Sequence, residues 1–248
     1  MKTRIGHIMQ TVAAAFIMLG AVSCGKNPDA DFVTREIAVT DFHTIEIDGV
    51  YEIELVQDTV CKLTVTTSPR VFAKNTFSVS DSVLTMNEEH GGHWLHPRES
   101  NTKVVIHVNR LKRLDVHEAC NIRTAGPLGH TTDEIGMVVD YAKMMEADLE
   151  LDCGTFYYWN DPNGAHVTLR GRADNLKLWN TGLAQVDAAS LTAMYVLADN
   201  GSQGQLKVRA MQTLEYKLTN TGNIAYYGSP PQINALGNTG SGQLIKAD

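Results

Sequence analysis

Cysteine is scarce in this 248-residue chain, with four in all, and positive charge is short, with 21 Lys and Arg against 28 Asp and Glu. Setting Cys24 aside leaves Cys61, Cys120 and Cys153. That odd number argues against a disulfide framework and reads best as buried thiols, although Cys120 and Cys153 could pair. The acidic balance disfavours nucleic acid and gives no electrostatic reason to lie on an anionic bilayer. Apolar residues at helical spacing are also missing, so a helical bundle is excluded. After the first two dozen residues no apolar stretch approaches transmembrane length. Catalytic signatures are equally absent: no Ser/His/Asp or Cys/His order stands out and no phosphate loop is present. Gly201-Ser202-Gln203-Gly204 lacks the strand–helix setting of a dinucleotide fingerprint. No cofactor is implied.

What the chain does have is a repeat. Asn followed by small turn residues recurs at Asn160, Asn180, Asn200, Asn220 and Asn238, in steps of 20, 20, 20 and 18 residues. A period in that range marks a solenoid, each repeat being a coil that cannot bury its apolar face alone. Short alternating runs precede these Asn residues, as in Leu176-Lys177-Leu178-Trp179 and Leu214-Glu215-Tyr216-Lys217-Leu218. Alternation with period 2 means strands with one buried face, and Asn and Gly bend the chain between them. The sequence therefore predicts an all-β fold, a right-handed parallel β-helix with coils of about 20 residues and an N-terminal β-hairpin-like start. The recurrent Asn residues are expected at equivalent turns, laddered through their amides. A regular antiparallel sandwich is the competing architecture; it does not explain the fixed period.

Residues 1–23 carry Lys2 and Arg4, then an apolar run, and end Ala21-Val22-Ser23 before Cys24. This reads as a lipoprotein signal peptide with Cys24 the lipidated residue, though Ala21 stands where such signals usually have Leu; ordinary signal cleavage, with Cys24 an incidental thiol, is the alternative. Residues 24–35 read as a flexible tether and 36–248 as the folded domain. The expected location is the envelope of a Gram-negative bacterium, anchored by lipid in the outer membrane, with a monomer expected. The Phe42–Met86 turns would cover the first coil, and the last coil would be either blunted by its shortness or covered by a second subunit.

From Phe42 to Leu55 the chain reads F-x-x-I-x-I-x-G-x-Y-x-I-x-L, and Gly222-Asn223-Ile224-Ala225-Tyr226-Tyr227-Gly228-Ser229-Pro230 comes near its close. These segments resemble the auto-transporter adhesin family built on the head GIN domain, over roughly residues 36–246. The resemblance implies an extracytoplasmic β-solenoid without an agreed catalytic motif, hence a non-catalytic binding module for glycan or protein partners. A polysaccharide lyase or hydrolase on a β-helix is the alternative.

Two segments carry candidate chemistry. His90, His93 and His96, beside Glu88 and Glu89, suit Zn²⁺, Ni²⁺ or Cu²⁺, whereas an exposed turn needs no metal. Trp94 in the same segment offers an aromatic for a sugar or a partner. The cluster Phe156-Tyr157-Tyr158-Trp159, with Trp179 one coil on, is the best candidate surface, and Tyr158, Trp159 and Trp179 are its named members. Burial in the core is the expectation against it, since large aromatics are mostly buried. Asp140, Asp148, Glu150 and Asp152 suit the paired carboxylates of a glycan-cleaving enzyme, but they also fit the polar face of an alternating strand.

Overall fold

The alternating runs fold as strands, and the sequence period becomes the register between them. The computed structural model describes residues 32–89, 102–140 and 144–247. The signal segment, Cys24, most of the tether, His90, His93, His96 and Trp94 lie outside the described residues. The early strands are β1 (Val33–Ala38), β2 (Thr44–Asp48), β3 (Glu52–Gln57), β4 (Lys62–Thr67), β5 (Asn75–Ser80) and β6 (Val83–Glu88), with the one-turn helix α1 (Pro69–Phe72) between β4 and β5. Next come β7 (Lys103–Val108), β8 (Arg113–Val116), β9 (Asn121–Thr124) and β10 (Glu134–Val139). Four long strands follow, β11 (Glu146–Asn160), β12 (His166–Gly182), β13 (Gln185–Ser202) and β14 (Leu206–Leu218), and then β15 (Ile224–Tyr227), β16 (Gln232–Asn238) and β17 (Leu244–Lys246).

These strands wind into a parallel β-solenoid of about seven turns. One side of the coil stacks β6, β2, β8, β10, the second halves of β11, β12, β13 and β14, and β16. The other long side stacks β7, β3, β9, the first halves of β11 to β14, β15 and β17. Among the described residues no helix is long and apolar enough to cross a membrane.

Inward positions form continuous apolar columns. Ile53, Ile122, Ala147, Val167, Val186, Leu206 and Ile224 make one, each in register with the next. All seven are buried. Full burial of such an aliphatic side chain stabilises by about 1.5–3 kcal/mol, and the columns repeat that gain coil after coil.

At one corner the column changes chemistry. Ile47, Val116 and Val139 occupy it in the early coils, and Val139 is in register with Asn160. Asn160, Asn180 and Asn200 then take the corner, all buried. The Asn180 amide donates to Asn200 Oδ1 at 3.1 Å and to the Ala184 carbonyl at 3.0 Å. Asn200 donates to the carbonyl of Gly204 at 3.2 Å. Buried polar groups persist when they satisfy turn backbone in this way. Asn220 departs from the expected equivalence. β14 drops three residues at one register shift and regains one at the next, so Leu218 pairs with Asn200 and takes the corner. Asn220 falls in the following turn, donating to the Gly201 carbonyl at 3.0 Å.

The expected hairpin-like start is present at the N-terminal end of the stack. Asp48-Gly49 is a coil corner, not a hairpin turn, because β2 pairs with β6 and β8 while β3 pairs with β7 and β9. The hairpin is β5–β6, turning through Asp81 and Ser82, both in the left-handed region (φ 52° and 63°) that two-residue hairpins favour. β1 and β4 add antiparallel strands beyond β7. Phe77 packs near Tyr51 and Phe72, with ring centroids 6.3 and 6.5 Å away, and covers this end.

Candidate aromatic groove

Because strands place alternate residues on opposite faces, the register decides which aromatics look outward. On the first long side one outward row runs Asp115, Val138, Trp159, Trp179, Asp199 and Lys217, each in register with its neighbour. The adjacent row runs Arg113, Gly136, Tyr157, Lys177 and Leu197. Trp159 is 39% exposed, and Trp179 and Tyr157 are half-buried. Both tryptophans therefore lie outside the core, against the expectation from their size. Tyr158 is the reverse case. It sits between Met137 and Leu178 in the interior, fully buried, and so is not part of a binding surface. Its phenol has no hydrogen-bond partner among the described residues, and burial pushes its pKa up.

Trp159 and Trp179 are register partners on neighbouring strands, which run about 4.8 Å apart. Among the described residues the close ring pairs are Tyr51–Phe77 and Phe72–Phe77. The two indoles thus share a face without stacking ring on ring. They line an open groove of about 710 Å³ together with Val138, Tyr157, Arg113 and Lys177. Glu134 and Asp140 complete its rim. Gly136 is what admits Tyr157, since a methyl at its Cα would overlap the phenol ring.

Some of the rim charges are already engaged. Arg113 bonds Asp115 at 2.7 Å, and that bond, followed by the nearby Tyr157 and Asp140, raises the guanidinium pKa above its ordinary value. His117 Nδ1 lies 2.7 Å from Asp140, and its Nε2 lies 3.7 Å from Glu46. Among the described residues no ion pair engages Glu134 or Lys177. The groove therefore combines an apolar floor with one acceptor and one donor that are open to a ligand.

A second depression, of about 730 Å³, lies on the other long side between Glu54, Arg123, Asp148 and His166. Most of its charges pair with one another, Glu146 being the lining carboxylate without an ion pair among the described residues. Arg123 bonds Glu54 at 2.5 Å, Lys103 lies 3.4 Å from Glu52, and Arg170 of the next coil bonds Asp148. Glu150 is 3.7 Å from Arg170, and Asp152 is 2.8 Å from Arg172. The acids at 148, 150 and 152 thus form the polar face of a coil-to-coil charge ladder. Among the described residues no three His, Cys, Asp or Glu side chains are grouped to hold a metal ion. Cys61, Cys120 and Cys153 are free thiols, and burial pushes Cys120 and Cys153 up to about 12.

Sequence reasoning found the two tryptophans but missed Arg113, Glu134, Gly136 and Lys177. Each comes from a different coil or an unremarkable strand position, and only the 20-residue step from Tyr157 to Lys177 hinted at the pairing.

Comparison with known proteins places this geometry. The solenoid is similar to the crystal structure of a putative adhesin from Bacteroides fragilis NCTC 9343, with a TM-score of 0.80 at 21% identity, covering 90% of this chain and all of that one. A putative lipid binding protein from Parabacteroides distasonis ATCC 8503 matches with a TM-score of 0.65 at 18% identity, over 89% of this chain and 98% of the other. A putative adhesin from Parabacteroides merdae ATCC 43184 matches at 0.59 and 16% identity, with the same coverage. At these identities the likeness speaks for the fold. No curated protein matches the chain. The family model described as "Putative auto-transporter adhesin, head GIN domain" matches residues 41–230, most of the folded domain, and the chain belongs to that family.

Proposed function

We propose that this protein is a non-catalytic, adhesin-type binding module of a bacterial cell envelope, lipid-anchored at Cys24, whose aromatic groove takes a glycan. The observation that carries the reading is the register pair Trp159–Trp179 standing outward over an open groove. A sugar ring offers an apolar C–H face and a rim of hydroxyls. Indole faces match the first, while Glu134 and Lys177 can hydrogen-bond the second. An open groove suits a chain-like ligand better than a small metabolite, which needs an enclosing pocket. The engagement of Asp148, Glu150 and Asp152 by Arg170 and Arg172 supports binding over cleavage, because a glycosidase pair needs one free carboxylate and one free carboxylic acid. The family description and the adhesin-like neighbours support an envelope location.

Two experiments test this. On a glycan array, the full chain should retain at least one glycan class, and Trp159→Ala with Trp179→Ala should abolish the signal while the fold persists. Retention that survives the double substitution would remove the groove from the account. For the anchor, Cys24→Ala should release the protein from salt-washed membranes; a variant that stays membrane-bound would refute lipidation.

A further inference from the structure

The two ends of the stack are finished differently. At the first end, α1, the β5–β6 hairpin and the antiparallel β1 and β4 cover the coils. β1 also carries Arg35 and Glu36, with the Arg35 guanidinium 4.2 Å from the Phe72 ring centroid. At the other end β16 pairs only with β14, and β17 only with β15. Among the described residues nothing pairs with their outer edges. The inward column Phe156, Leu176, Val196, Leu214 is at most 2% exposed, yet the next member, Ile233, is 41% exposed. Leu236 and Ile245 stand 54% and 40% exposed on the same coil.

An open edge of this kind is an invitation to another strand, and monomeric proteins guard such edges with charge. Here β16 carries no such guard, and β17 has a single one, Lys246. From Leu218 to Ile245, 28 consecutive residues, there is no Asp, Glu, Lys, Arg or His, in a chain that is 20% charged. The single register shift in β16 falls at Leu236, so the irregular position projects a leucine. In a two-fold pairing each strand meets its own sequence, so any charge near the axis would face its own copy. A neutral edge carries no such repulsion.

We propose that the open end is the interface between two copies of this chain, joined tail to tail through β16 and its symmetry mate, with Ile233, Leu236 and Ile245 of both copies buried between them. The pair would carry two aromatic grooves. If those bind glycan as proposed above, a polymeric ligand would gain its second contact intramolecularly.

Cross-linking and hydrodynamics test the interface without reference to any ligand. In the full chain, Asn234→Cys should form a disulfide-linked dimer on mild oxidation, while the wild type and Ser78→Cys, on the uncharged strand β5 at the capped end, should not. Sedimentation in detergent across a concentration series should show the wild type reaching dimer and Leu236→Lys remaining monomeric, with an unchanged far-ultraviolet strand signal. A wild type that stays monomeric throughout, a dimer that survives Leu236→Lys, or a dimer cross-linked only through Ser78→Cys would each overturn the proposal.

Discussion

The two long sides of the coil share the strands β11 to β14, yet they finish their outer surfaces in opposite ways. On the side of β3, β9 and the first halves of the long strands, charges from successive coils meet: Glu54 with Arg123, Asp148 with Arg170, Asp187 with Lys207 at 2.7 Å. On the side of β8, β10 and the second halves, Val138, Trp159 and Trp179 leave an apolar strip, with ion pairs only at its margins. A surface that satisfies itself has little to offer a ligand, because a newcomer must replace bonds already made. A surface that leaves large aromatics in water gains by covering them. The solenoid thus concentrates its coil-to-coil ion pairs on one side and its outward tryptophans on the other.

Breaking the aromatic side should have the largest effect on binding. Trp159→Ala with Trp179→Ala is expected to weaken glycan retention by at least ~100-fold, about 2.8 kcal/mol, which is within the range of paired aromatic anchors. Urea unfolding should barely move, since both side chains face outward. Arg123→Ala on the charged side should leave retention unchanged in the same assay.

The corner that holds the two sides at their angle should respond in stability instead. Asn200→Ala strands the Ser202 amide and the Gly204 carbonyl, both of which Asn200 now satisfies. A loss of about 2–3 kcal/mol in urea unfolding follows from leaving buried polar groups unpaired. A loss below half a kilocalorie would mean the amide ladder is ornamental.

A sharper probe of the groove is Gly136→Ala, whose methyl must push the Tyr157 ring aside. Binding should fall roughly tenfold, or about 1.4 kcal/mol, while the double-tryptophan variant gains nothing further from it. On the charged side, Arg170→Ala should cost less than about 1 kcal/mol and the loss should shrink in high salt, as exposed ion pairs do. The smallest change is Tyr158→Phe. It removes a buried hydroxyl that has no partner among the described residues, so stability should hold or rise by up to about 1 kcal/mol. Glycan retention should not change, since Tyr158 faces inward.

Several features were readable from residues alone because their causes are local. The 20-residue step, the alternating runs and the Asn turns each reflect a preference that a short segment expresses by itself, and together they specify a parallel solenoid. Whether a given aromatic looks in or out has no local cause. Tyr158 and Trp159 are neighbours with similar size, and a shift of one residue in register would exchange their fates. That phase is set by the whole column: Met137 and Leu178 on either side of Tyr158, Val138 and Trp179 on either side of Trp159. Likewise Asp48-Gly49 has hairpin chemistry but turns a coil corner, because β2 and β3 find better partners one coil away. Asn220 lost its place in the ladder when β14 dropped residues at the turn before it. The sequence by itself thus determined the architecture, its period and its family. Only the tertiary structure decided which surface is left apolar, because that surface is assembled from residues a full coil apart and exists only once their registers are locked.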